Sequence, residues 1–118
     1  MSSVVIKSDR QTEVEAAVGR LVDRWIADHP EIERIIWFGS RTRGNYGPQS
    51  DVDLCIVLSS SAKPRIADRI PDFLPNQFPS GIDVFPYTRE EFDNLRTQRP
   101  SWWAAVNAGS TLFERAAS

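Results

Sequence analysis

Apolar residues recur at three- and four-residue steps between residues 12 and 28, at Val14, Val18, Leu21, Val22, Trp25 and Ile26. This spacing predicts one buried stripe of an amphipathic helix. His29-Pro30 closes it, because the residue before a proline avoids helical geometry. Residues 35–38 then form a continuous apolar run between Arg34 and Gly39, the mark of a short, mostly buried strand. Residues 40–51 hold Gly44, Asn45, Gly47, Pro48 and Ser50, whose turn chemistry excludes a long regular element and leaves room for one helical turn from Ser40 to Gly44. A second strand is predicted at 52–58, fading into Ser59-Ser60-Ser61. Pro64 is placed to open a helix carrying Ile66, Ile70 and Phe73, which Pro71 stops early. Residues 81–85 read as a third strand. Thr88 followed three positions later by Glu91 is a capping-box pattern, so a helix is predicted over 89–98 with Phe92 and Leu95 inward. Pro100-Ser101 breaks it and starts a short helix through Trp102, Trp103 and Val106, ended by residues 107–109, and residues 111–113 add an edge strand. Alternating helices and strands of this kind predict an α/β fold with helices packed on a sheet.

Composition narrows the partners. At 118 residues the chain fits one domain, 1–118, and its 41% hydrophobic and 25% charged content is that of an ordinary soluble protein able to build a core. A net charge of −2 lacks the basic excess needed to grip a long nucleic acid by counterion release, so a nucleotide is the better-suited substrate. Cys55 has no second cysteine to pair with and lies in an apolar run, which suits a buried, inert thiol in a reducing cytoplasm. No long apolar leader and no run near the roughly 18 residues that span a bilayer is present, so a cytoplasmic location without membrane contact is expected. The lone histidine, His29, reads as a helix-end residue, with no second histidine to share a metal.

The chemistry concentrates in Gly39-Ser40, a ten-residue gap, and Asp51-Val52-Asp53. Side chains alternate along a strand, so Asp51 and Asp53 project from one face. Two carboxylates that close repel unless a cation sits near them, and oxygen-only ligands on short side chains suit Mg²⁺. Asp83 is a third acid set between the apolar Ile82 and Val84, whereas Glu13, Glu15 and Asp93 fall on helix faces that meet water. If the second and third strands are neighbours, Asp83 joins the pair, and such a trio is the protein half of a two-metal phosphoryl or nucleotidyl transfer site. The plainer alternative is a turn cap at Asp51 with partly exposed strand acids at Asp53 and Asp83. Gly39-Ser40 follows a strand where unpaired backbone N–H groups can point at an anion, Gly39 allows close approach, and Ser40 adds a hydroxyl donor. Arg41 and Arg43 either offer guanidinium groups to a phosphate or stand as solvated loop residues.

Gly39-Ser40-Arg41-Thr42-Arg43-Gly44 with Ser50-Asp51-Val52-Asp53-Leu54, and Gly81-Ile82-Asp83-Val84 beyond, resembles the signature of nucleotidyltransferases of the DNA polymerase beta superfamily, most closely their minimal nucleotidyltransferase branch. The resemblance spans residues 14–114. It implies a polymerase-beta-like fold, a small mixed sheet with helices packed on it. It also implies metal-binding catalytic acids at Asp51, Asp53 and Asp83, phosphate contacts at Gly39 and Ser40, two Mg²⁺ ions, and ATP as donor of AMP to a hydroxyl. Larger members carry a second domain that shapes the acceptor pocket; with no residues left for one, the acceptor site is expected to be shallow or supplied by another chain. Members of the branch often pair with a helical HEPN protein, the nucleotidyltransferase acting as antitoxin by transferring AMP to the toxin, so a hetero-oligomer is implied. Two other readings stay open. One is a non-catalytic nucleotide-binding module that neutralises a partner by occlusion, suggested by Trp102 and Trp103, adjacent indoles that cannot both face one core. The other is a small-molecule adenylyltransferase.

Overall fold

The two most apolar runs of the chain lie side by side as strands β1 (Ile32–Phe38) and β2 (Val52–Leu58), paired antiparallel. They are seen in a computed structural model that describes residues 2–39 and 51–115, with side chains from residue 11 onward. Strand β3 (Ile82–Thr88) joins β2 in parallel, and β4 (Ser110–Glu114) joins β1 antiparallel, so the mixed four-stranded sheet has the order β3-β2-β1-β4. This is the α/β class and the small mixed sheet expected from the sequence. Because β1 and β2 are interior and covered on both faces, their apolar residues run continuously instead of alternating with polar ones.

Helix α1 (Ser2–Asp28) covers one face with Val14, Val18, Leu21, Val22 and Trp25, packed on Ile35 and Trp37 of β1 and on Val52, Leu54, Ile56 and Leu58 of β2. Phe73 closes the end of this layer: Trp25 Nε1 donates to its carbonyl at 3.0 Å, and the two rings meet edge-on at 5.7 Å. On the opposite face, α3 (Arg89–Gln98) and α4 (Pro100–Asn107) set Phe92, Leu95 and Val106 against Ile36, Phe38, Cys55 and Val57. Among the described residues no helix is long and apolar enough to cross a membrane.

Element boundaries depart from the sequence expectation where tertiary pairing or chain continuity decides them. Helix α1 starts ten residues before the predicted 12, because no glycine or proline interrupts residues 2–18 and an established helix propagates one bond per residue. Strand β1 starts at Ile32 because Ile32 and Arg34 pair with Leu58 and Val57. Strand β3 continues past Phe85 through Pro86, which lacks an N–H; the position tolerates it because β3 lies at the sheet edge. The helix expected at Pro64 begins at Ile66 as the four-residue α2 (Ile66–Arg69), followed by a 3₁₀ turn over Ile70–Asp72. Helix α3 matches its prediction: Thr88 Oγ1 accepts from the Glu91 N–H at 3.2 Å, and Glu91 Oε1 accepts from the Thr88 N–H at 2.9 Å.

Nothing in the sequence pattern pointed to Arg69, which is 2% exposed. Its guanidinium donates to Glu91 Oε1 at 2.6 Å and Oε2 at 3.1 Å, and to the carbonyls of Lys63 at 2.8 Å, Pro64 at 3.2 Å and Pro86 at 3.0 Å. One side chain thereby ties the loop before α2, strand β3 and the cap of α3 together. The hydrogen bond from Arg69 holds the Glu91 carboxyl below its ordinary 4.5 against the opposing effect of burial. The ion pair therefore contributes stability that is complete above pH 4.5 and is lost as pH falls through the depressed folded value. Arg69→Met should cost roughly 1–2 kcal/mol at pH 7, since it removes the donor to three carbonyls while Glu91, 38% exposed, stays partly solvated. In urea titrations the gap between wild type and variant should narrow on acidification to about pH 3.

Candidate active site

The parallel register of β2 and β3 sets Asp53 opposite Asp83, and the antiparallel register of β1 and β2 sets Phe38 on the other side of Asp53. Register partners project to the same face, here the one covered by α3 and α4. Asp51 lies one residue before β2, joined to the start of β3 by a hydrogen bond from the Val52 N–H to the Gly81 carbonyl at 2.9 Å. The three acids thus gather at one end of the sheet, Asp53 half-buried, Asp51 and Asp83 exposed. Burial pushes the Asp53 carboxyl from 3.8 up to about 6, with further upward pressure from the charges of Asp83 and then Asp51. The backbone, not helix packing, does this positioning: the acids fall in the first register rows of two parallel strands.

Two glycines make room for the carboxylates. Gly39 ends β1 at φ +94°, and a Cβ there would run into the Asp53 carboxylate, lying 3.4 Å from its Cγ. A Cβ on Gly81 would lie 2.7 Å from Cγ of Asp51. Gly39 directly follows β1 and Gly81 directly precedes β3, so the two carboxylates are accommodated on either side of β2. Among the described residues no group of three or more His, Cys, Asp or Glu side chains forms a ready-made metal cage. The expected pairing of the second and third strands is present and brings Asp83 beside Asp53, and the charges of Asp83 and Asp51 are both felt at the Asp53 carboxyl. Ser40, Arg41 and Arg43 lie outside the described residues, as does the helical turn expected from Ser40 to Gly44.

An aromatic wall borders the acids. Phe38, Phe85 and Trp102 form a triangle with ring centroids 5.3–5.6 Å apart, and Trp102 Nε1 donates to the Tyr87 hydroxyl at 3.0 Å. Strand alternation carries Phe85 onto the face of Asp83, a signal available in the sequence; the arrival of Trp102 from α4 was not. Trp102 and Trp103 are both half-buried, with Arg99 and Arg96 respectively 5.3 Å from their ring centroids. The expectation that adjacent indoles cannot both face one core is therefore corrected: both pack against the cluster that holds Phe38, Phe92 and Val106. The large exposed apolar residues among those described are Leu74 and Leu112.

Residues 18–102 match the family described as nucleotidyltransferase domain. A solved structure from Sulfolobus solfataricus, described as a candidate nucleotidyltransferase, superposes with a TM-score of 0.66 over 91% of this chain and 86% of that one. Its sequence is 21% identical, so the likeness is one of fold. No curated protein matches the chain.

With its pKa raised to about 6, Asp53 favours the folded state at low pH and loses that contribution as pH climbs from 3.8 through 6. In EDTA, Asp53→Asn should therefore be more stable than wild type above pH 6, by roughly 1–2 kcal/mol once solvent screening of a half-buried carboxylate is allowed for. The advantage should vanish near pH 4 in thermal melts. Gly39→Ala should destabilise by about 1–2 kcal/mol, because an L side chain is strained at positive φ, and denaturant titration measures it.

Proposed function

Since the chain belongs to the nucleotidyltransferase domain family, we propose that it transfers AMP from ATP to a hydroxyl on a partner protein in a reaction dependent on Mg²⁺. The observation that carries this reading is the pairing of Asp53 with Asp83 across parallel strands, with Asp51 two residues upstream. The partner is assigned from the resemblance to the minimal nucleotidyltransferase branch: a small helical HEPN protein, with this chain as the antitoxin of the pair. A reducing cytoplasm suits such a pair and suits Cys55, a buried thiol whose pKa burial pushes up to about 12.

Asp51, Asp53 and Asp83 are the residues to hold the two Mg²⁺ ions. Their oxygens suit a hard cation, and a neighbouring cation would favour the ionised form of Asp53 that its surroundings now oppose. When bound, the metal supplies neutralisation of the triphosphate charge and acidifies the acceptor hydroxyl. Asp83, exposed at the start of β3, takes the hydroxyl proton. The hydroxyl oxygen bonds to the α-phosphorus, the bond from that phosphorus to the β-phosphate bridging oxygen breaks, and pyrophosphate leaves. Ser40, Arg41 and Arg43 are assigned to the phosphates on the strength of the motif, with Gly39 turning the chain toward them. Catalysis on this scheme is positioning plus electrostatic stabilisation. The occlusion reading rested on an exposed indole, and with both tryptophans half-buried no observation favours it over transfer.

With α-³²P-ATP, Mg²⁺ and the purified HEPN partner, label should appear on the partner. Asp53→Asn and Asp83→Asn should each reduce labelling by about a hundredfold or more while retaining wild-type circular dichroism. Retained labelling by either variant, or neutralisation of the partner without label, would overturn the reading. Mg²⁺-ATP at about a hundred times its dissociation constant should add roughly 2.7 kcal/mol and raise the melting point by roughly 10 °C. Without Mg²⁺ that shift should disappear.

A further inference from the structure

On the α1 face of the sheet, opposite the face to which Asp53 and Asp83 project, a cleft of about 120 Å³ lies between helix α1 and residues 75–79, lined by Arg20, Leu21, Arg24, Gln77 and Phe78 among others. Every other described lysine or arginine side chain is engaged. Ion pairs hold Lys63, Arg65, Arg69 and Arg89, neutral acceptors hold Arg34, and aromatic rings hold Arg96, Arg99 and Arg115. Arg20 and Arg24 alone among the described cations have no such partner, and both open onto this one cleft. Standing four residues apart on the helix, the two repel each other, and an anion between them relieves that cost. The cleft is open to solvent and has room for a phosphoryl group between the two side chains.

We propose that Arg20 and Arg24 form a binding site for a phosphoryl anion, on the face of the sheet opposite Asp53 and Asp83. Guanidinium groups match phosphate oxygens in paired, charge-assisted hydrogen bonds, and the exposed Gln77 amide provides a neutral donor on the facing loop. Leu21 and Phe78 contribute apolar floor that lowers the effective dielectric around the pair. The phosphoryl group is either a free anion or the phosphate of a mononucleotide whose sugar and base stay outside the cleft.

The test is isothermal titration calorimetry of the whole chain in EDTA, with inorganic phosphate and with AMP, at ionic strength held constant with sodium chloride. Omitting the metal separates this site from the aspartates, so its failure leaves the transfer reading standing. Wild type should give saturable binding of at least one of the two anions. Arg20→Gln/Arg24→Gln should weaken it at least tenfold, Arg20→Lys/Arg24→Lys should weaken it less, and Arg65→Gln, elsewhere on the surface, should leave it unchanged. Tighter binding of AMP assigns the group to a nucleotide, and equal or tighter binding of phosphate assigns a free anion. The proposal is overturned if neither anion saturates above the chloride background, or if the double glutamine variant, folded by circular dichroism, binds as wild type does.

Discussion

The arrangement of this chain turns on the parallel pairing of β2 with β3, which sets Asp53 against Asp83 at the end of an otherwise apolar sheet. Only the second register row carries charge; the rows beyond it are filled by Leu54, Cys55, Ile56, Val57 and Leu58, buried between the two helical layers. That ordering makes the opposition of like charges tolerable. The acids sit where the sheet meets water, so their repulsion is partly screened, while the apolar rows supply the burial that keeps the strands paired. Shifting β3 by one residue would turn Asp83 to the opposite face and bring Ile82 or Val84 into its row. The register of two strands is thus the common origin of the sheet's stability and of its charged end.

Arg69 and Glu91 hold that register from outside. Glu91 serves both as the return partner of the α3 cap and as the counter-ion of Arg69, so the start of α3 is fixed relative to the end of β3. Helix α4 follows α3 after Arg99 and brings Trp102 onto Phe38 and Phe85. The wall beside the aspartates therefore depends on an ion pair at the far end of β3. Packing in this layer is aromatic and interlocked, and a hydrogen bond from Trp102 to Tyr87 fixes the indole's orientation.

The parts readable in advance were those written in local chemistry. The stripe from Val14 to Ile26, the capping box at Thr88 and Glu91, and the run Val52–Leu58 each specify their element without reference to the rest of the chain. The acids Asp51, Asp53 and Asp83 stood out because charge within apolar runs is unusual, and alternation gave the face of each. What escaped was long-range. Pro86 signalled a strand end by itself, yet pairing with β2 carried β3 through it. Arg69 carried no local signal because its five acceptor atoms come from three separate stretches of chain. The room for the Asp51 and Asp53 carboxylates depends on Gly81 and Gly39, whose small size has meaning only once the flanking strands are in place.

Pro86 and Arg69 together have a consequence for how copies of this chain meet one another. At that point on the outer rim of β3 the ladder has no amide hydrogen to offer, and the one carbonyl there is already claimed by the Arg69 guanidinium under α2. A foreign strand laid along this side finds nothing to grip at the middle of its path. The opposite rim, β4, has no such blockade among the described residues. Strand addition along the β3 rim is therefore interrupted at Pro86 by two independent features, a missing donor and an occupied acceptor.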